Sequence, residues 1–318
     1  RFLDYTIERH YPELKGSENP ALALLTAVMH RQIDLVVNWL RVGFIHGVMN
    51  TDNMSVAGET FDYGPCAFMN AYDPGTVFSS IDAQGRYAFG NQPRIALWNL
   101  TRFADALLPL MHEDAAEAVA SAENILNLFP EEYERKWVKM MGNKTGFTNP
   151  SSEDTKLILE LLRWMQQNKA DYTNTFLALQ SDSSAHSGVY SGEAFQKWYS
   201  KWQSKINQNG RSKHEAIAFM RANNPAFIPR NYLVEQALDD AAGKNDFTLF
   251  HQLLDVFKSP YDIHEQYCSF QEPPKDGDVN YRTFCGTQRR QGTSFVTPPK
   301  SADSQGPVKS KTSVDGLD

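Results

Sequence analysis

Asn19-Pro20 followed by ALALLTAVMHRQIDLVVNWLRVG is the feature that most restricts what this chain can fold into. Asn is a strong helix N-cap, and Pro fits the first helical position, where a missing N–H costs nothing. Leu25, Val28, Met29, Leu35, Val36, Trp39 and Leu40 then recur around much of the helix, and Gly43 supplies its stop. A helix this broadly apolar belongs at the centre of a fold, with other elements packed around it.

The rest of the chain offers those elements. RFLDYTIERHYPEL has helical spacing near the start. From Arg94 onward the pattern is almost wholly helical. RIALWNLTRFADALLPL is amphipathic, SSEDTKLILELLRWMQQ opens on Ser and acidic residues, and Ser212 with Glu215 forms a capping box. RNYLVEQALDDAAGKNDFTLFHQLLDVF reads as two helices, the second capped by Asp246. All six tryptophans lie in helical patterns and are expected in the core or between helices. After Pro260 the pattern fades, and residues 288–318 are predicted to be a disordered polar tail.

Only residues 43–93 break the helical run. HGVMNTDN reads as a loop. MSVAGETFDYG reads as a tight hairpin turning near Ala57-Gly58-Glu59, with Asp62 at the end of its second strand. About thirty Gly- and Pro-punctuated residues follow, and a loop of that length in a compact domain is usually functional or well packed. The fold class is therefore mainly α with a small β-hairpin.

Composition narrows the function. The chain has 318 residues, 41% hydrophobic and 22% charged, which is globular. A net charge of −7 argues against general nucleic-acid binding. The apolar stretches fall short of the ~18 residues that read as a membrane span, so none is expected. Cys66, Cys268 and Cys285 are too few for a disulfide scaffold and too scattered for a zinc site, and a reducing or organellar interior is the default compartment. The sequence begins at Arg1 within a helical pattern, so it is expected to start inside a domain, with any targeting signal upstream.

GFIHGVMNTDNMSVAGETFDYGP, residues 43–65, carries the chemistry. Asn53 follows His46 by seven residues, and Asp62-Tyr63-Gly64 is an Asp-aromatic-Gly turn. Kinase-like enzymes hold a divalent metal with such an Asn and such an Asp. Oxygen donors favour Mg²⁺ or Mn²⁺ over zinc. Two residues after the His, where a kinase keeps its catalytic Asp, stands Val48, which cannot take a proton; Asp52 can. The plain alternative is that Asp52 and Asn53 only cap a turn and Asp62 follows a strand by chance. His46 reads as bonding the loop backbone rather than as a proton shuttle. Cys66 reads as a small packed residue, and Arg86 as a surface arginine or a contact for a phosphate or peptide.

The same segment, with GRYAFGNQPRIALWNLTRFADALLP, KADYTNTF, NNPAFIPRNYLVEQAL and the closing FCGT, resembles the selenoprotein O (YdiU) family. The resemblance runs through Cys285. It implies a protein-kinase-like (α+β) fold, ATP bound in a flipped orientation, and transfer of AMP to Ser, Thr or Tyr hydroxyls of proteins. Asp52 matches the family's proton acceptor; Asn53 and Asp62 match its metal ligands, and Asp62 also lies against the nucleotide phosphates. Residues 1–258 are then expected to be the helical C-lobe, holding the catalytic loop and metal-binding hairpin at 43–65. Residues 259–287 would be a C-terminal extension ending in Cys-Gly-Thr.

The family's glycine-rich loop and phosphate-binding lysine have no counterpart in these residues, so the N-lobe is expected to be absent from this chain and the chain alone to be inactive. Some relatives carry a second cysteine after Asp-Pro-Gly, where this chain has TVFSSID, which puts a redox pairing with Cys285 in doubt. The resemblance further implies a mitochondrial protein if eukaryotic and a cytoplasmic one otherwise. A second function fits the missing half: a catalytically idle kinase-like module that binds a partner through its helical surface.

Overall fold

Helix α1 (Phe2–His10) leads into α2 (Pro20–Val42), the longest helix among the described residues. The ends of α2 form as their residues dictate. The Asn19 side chain accepts from Leu22 N–H at 3.2 Å, and Gly43 closes the helix at φ 76°. At that φ a side chain is strained, and a Cβ on Gly43 would also lie 3.3 Å from the Tyr172 ring. Leu24, Val28, Met29, Ile33 and Val36 on α2 are at most 3% exposed. By length and composition α2 also reaches what a membrane span needs, contrary to the sequence reading; half of its most apolar window, however, is buried inside this fold.

A computed structural model describes residues 1–208, 212–275, 277–278 and 281–284. They belong to one unit, Arg1–Gly286. Cys285 and the polar stretch 288–318 lie outside the described residues. A two-stranded antiparallel sheet, β1 (Phe44–Ile45) and β2 (Ala67–Phe68), pairs Phe44 with Phe68 and Ile45 with Ala67. Then come α3 (Gln92–Met111), α4 (Ala115–Leu126) and α5 (Phe129–Lys144), all three packed on α2. A second tier follows: α6 (Ser152–Asn168), α7 (Tyr172–Ala178), α8 (Asp182–Ala185), α9 (Glu193–Gln208) and α10 (Lys213–Asn223). The pair α11 (Asn231–Lys244) and α12 (Thr248–Phe257) has a small core of its own around Leu233, Ala237 and Leu253. The fold is thus mainly α with one small sheet.

Capping boxes form at Ser151–Asp154 and Ser212–Glu215. Asp246 accepts the Thr248 N–H at 2.9 Å from one residue before the cap position of α12. Four tryptophans, Trp39, Trp164, Trp198 and Trp202, are buried. Trp98 is not: it is 42% exposed, contrary to its sequence pattern.

The expected hairpin at 54–64 is not a hairpin. A turn does occur there, with Gly58 N–H donating to Ser55 O at 3.0 Å, but its flanks do not pair with each other. Side chains of α2 take their polar groups instead. Gln32 donates to Ser55 O at 2.6 Å, Arg31 to Ala57 O at 3.3 Å, and the Trp39 indole to Thr60 Oγ1 at 2.7 Å. The strand pairing falls outside this segment, between the residues before the loop and those after the Asp-Tyr-Gly turn.

Gln271 and Asp278, in the segment after α12, are stapled to the body through a buried charge. The Arg230 guanidinium, 1% exposed, grips both Asp171 carboxylate oxygens, at 2.6 and 3.2 Å, and the Gln271 carbonyl at 2.6 Å. It also donates to Asn70, whose own amide donates to Asp278 at 2.6 Å. Burial raises the Asp278 carboxyl above its ordinary value. Removing one partner of such a pair strands the other charge in the interior. Arg230→Ala is expected to lower unfolding stability by roughly 3–5 kcal/mol in urea titrations. A loss below ~1 kcal/mol, the range of surface pairs, would contradict this account.

Candidate functional site

The loop between β1 and the Asp-Tyr-Gly turn is built on His46, which is 1% exposed. Its backbone N–H donates to Gln92 Oε1 at 3.0 Å. Its ring Nδ1 accepts the Val48 N–H at 3.4 Å, which leaves Nε2 as the N–H that donates to Phe61 O at 3.0 Å. Burial pushes the His46 imidazole below its ordinary pKa, against the opposing pull of the Phe61 carbonyl and the Asp62 charge. His46 is therefore a neutral clamp between two parts of the loop, and its bonding to the loop backbone is what its sequence context indicated. Gly47 is needed beside it: at φ 86° a Cβ would fall 2.5 Å from the Pro65 carbonyl oxygen.

The sequence-predicted residues sit around this clamp. Val48 is 3% exposed and faces inward. Asp52 is exposed, in the single 3₁₀ turn Thr51–Asn53, which is closed by Asn53 N–H donating to Asn50 O at 2.9 Å. Asn53 donates its amide N–H to Val48 O at 3.1 Å, which directs its Oδ1 away from that bond. Asp62 is exposed and holds φ 55°, a left-handed conformation that costs a non-glycine residue about 1–3 kcal/mol. A continuous path of hydrogen bonds thus joins Asn53 through Val48 and His46 to Phe61, the neighbour of Asp62. Among the described residues, neither the Asp52 nor the Asp62 carboxylate takes part in a hydrogen bond or ion pair.

A supporting layer was not singled out from the sequence. Gln92 is fully buried and, besides the His46 bond, donates to Phe44 O at 3.0 Å. Asn99 donates to Met49 O at 2.9 Å, and Tyr87 donates its hydroxyl to Asn50 Oδ1 at 2.6 Å. The available signal was the placing of Gln32, Gln92 and Asn99 on helices otherwise patterned for a core. Cys66 behaves as the packed residue expected, with burial pushing its thiol up to about 11.

Among the described residues there is no cluster of three or more His, Cys, Asp or Glu suited to a metal. The donors that the loop does offer are an amide oxygen and a carboxylate, Asn53 and Asp62. Both are free of protein hydrogen-bond partners on those oxygens, and both are hard ligands of the kind Mg²⁺ and Mn²⁺ take. The residues present fit such an ion.

The described unit is a mainly helical body that presents two carboxylates and an amide on one tightly bonded loop. The family model described as protein adenylyltransferase SelO matches residues 1–258, and the chain belongs to this family. It is 50% identical over 287 residues to the protein nucleotidyltransferase YdiU of Alcanivorax borkumensis, covering 90% of this chain and 59% of that protein. It is likewise 50% identical to the YdiU protein of Nitrosococcus oceani, over 89% of this chain and 58% of the relative, and 48% identical to that of Bacillus cytotoxicus over the same shares. The chain therefore spans about three-fifths of the length of these curated relatives.

The His46 clamp has a pH signature. Its pKa is lower folded than unfolded, so the unfolded chain binds the proton more readily as pH falls. The clamp's contribution is complete above the unfolded pKa of ~6.5 and declines as pH drops toward the folded value. In denaturation curves from pH 7.5 to 5, the stability gap between the wild type and His46→Gln is expected to narrow. A gap that stays constant over that range would show that His46 is not held neutral.

Proposed function

We propose that the protein carrying this chain transfers AMP from ATP to hydroxyl groups of protein Ser, Thr or Tyr residues. In this reading the described unit is the C-lobe of a kinase-like fold. The observation that carries it is the hydrogen-bond path Asn53–Val48–His46–Phe61, which ties the two oxygen donors to one backbone frame while Asp52 is left exposed and unpaired.

The roles follow from what each side chain has free. Asn53 Oδ1 and the Asp62 carboxylate would hold Mg²⁺ or Mn²⁺, which when bound offsets charge on the phosphate oxygens. Asp62 would also lie against the nucleotide phosphates. Asp52 accepts the proton of the attacking hydroxyl. That hydroxyl oxygen forms a bond to the α-phosphorus, the bond from the α-phosphorus to the bridging oxygen breaks, and pyrophosphate leaves. Val48, buried where a kinase has its base, takes no part. Pre-organisation comes from His46 and Gln92, which fix the loop before substrate arrives.

The test is a transfer assay on the full-length protein with ATP labelled at the α- or the γ-phosphate. Label from the α position alone is expected in protein. Asp62→Ala is expected to abolish transfer even at saturating Mn²⁺. Asp52→Ala should spare nucleotide binding and lower turnover by ~10²–10⁴. Label entering from the γ position, or full activity in Asp62→Ala, would refute the assignment.

A further inference from the structure

Trp98 is the one tryptophan that breaks the core pattern, and its surroundings are basic. The Arg86 guanidinium lies 4.6 Å over its ring and that of Arg102 lies 5.8 Å from it. Arg94 lies one helical turn before Trp98 and Arg102 one turn after it, so α3 presents all three on one face. The acidic groups beside it are Asp105 and Asp82, with Asp52 beyond Thr51 at the adjoining cavity. Arg102 pairs with Asp105 at 3.1 Å, but both are about half exposed, and such a pair yields at little cost. The Asp82 carboxylate is taken up by the backbone N–H groups of Arg86 and Tyr87. The Arg86 guanidinium has no ion pair among the described residues. In a chain of net charge −7, three arginines against Asp82 and Asp105 leave this patch locally positive.

The cluster borders the catalytic loop on two sides. Tyr87, next to Arg86, bonds Asn50. Arg102 lines a cavity of about 310 Å³ together with Thr51, the residue before Asp52. The other walls of that cavity are largely apolar, with Val28, Met54, Val56, Leu100 and Phe103. An exposed Trp flanked by arginines beside an apolar hollow has the composition of a protein-binding hot spot.

We propose that this surface holds the stretch of protein substrate flanking the acceptor hydroxyl, with an acidic side chain on the Arg86–Trp98–Arg102 cluster and a bulky apolar side chain in the cavity. The proposal rests on the transfer reading above and names the class of substrate for it: hydroxyls set between acidic and apolar residues. Charge selects the occupant, because a basic patch repels a Lys-rich segment and attracts a Glu-rich one.

Binding can be tested without turnover. The probes are short fluorescein-labelled peptides with Ser between Glu and Leu, in both orders, and matched peptides with Lys for Glu or Ala for Leu. Anisotropy titrations with the full-length protein, lacking ATP, are expected to show one of the Glu/Leu orders binding about tenfold or more tighter than its Lys and Ala counterparts. Added salt should weaken it. Trp98→Ala and the double variant Arg86→Ala/Arg102→Ala should each lose about tenfold in affinity while melting temperature and ATP binding stay at wild-type values. Equal binding of Glu and Lys peptides, wild-type affinity in both variants, or displacement of the peptide by an unrelated single-stranded oligonucleotide would each overturn the proposal. If Trp98→Ala alone misfolds, the arginine double variant decides. A failure of the transfer reading appears separately, as absence of α-label in protein.

Discussion

The side chain of Gln92 is the interaction on which the rest of the site depends. It is fully buried, and both ends of its amide are used. The oxygen accepts the His46 N–H, while the nitrogen donates to the carbonyls of Phe44 and Phe89. An amide buried without partners costs on the order of 1–3 kcal/mol, so this arrangement tolerates little displacement. It joins the start of α3, strand β1 and the loop in one unit. His46, placed by that bond, then reaches Val48 on one side and Phe61 on the other. The positions of Asn53 and Asp62 are consequences of this chain rather than of any direct bond between them.

Several aspartates among the described residues are occupied by structural bonds. Asp114, Asp154 and Asp171 spend their oxygens on helix N-termini, and Asp171 also neutralises the buried Arg230. Asp73 and Asp82 close turns in the segment between β2 and α3. Asp52 and Asp62 do none of this. Their backbones are held by neighbours, through a 3₁₀ turn for Asp52 and the Phe61 carbonyl for Asp62, while their side chains stay open to solvent. Strain at Asp62 points the same way. A positive φ outside glycine persists where surrounding bonds enforce it; Lys169 and Asn245 share it as the ends of helices, whereas Asp62 holds it in the loop.

The turn is also held from the far end of the described chain. Thr283 bridges to Ser79 in parallel, exchanging backbone bonds with Phe78 and Ser80 at 2.8 Å, and its hydroxyl donates to Pro65 O at 2.6 Å. Pro65 is the same residue whose carbonyl leaves no room for a Cβ on Gly47. Residues 281–284, the segment 78–91 and the loop after β1 therefore meet around the Asp-Tyr-Gly turn. The long irregular stretch between the sheet and α3 is thus ordered by contacts distant in sequence, which explains why it shows no period of its own.

How much of this was legible in the sequence follows the range of each interaction. The helix ends at Asn19, Gly43, Ser151 and Ser212 were readable because a cap is a bond between residues two to four apart. The loop residues Asp52, Asn53 and Asp62 stood out by their spacing, and the backbone-bonding role of His46 by its context. The hairpin was misplaced because α2 supplies Gln32, Arg31 and Trp39 as partners for a segment whose local pattern favours pairing with itself, and side-chain bonds across a helix leave no period-two trace. Trp98 was misassigned because helical spacing shows which residues share a face, not whether another element covers that face. The chain by itself determined a mainly helical body, its central helix and the chemical groups of the loop. Tertiary structure alone decided that Gln92 and His46 bind those groups into one frame, because buried polar side chains find their partners across some 15 to 50 residues of sequence, where only packing brings them together.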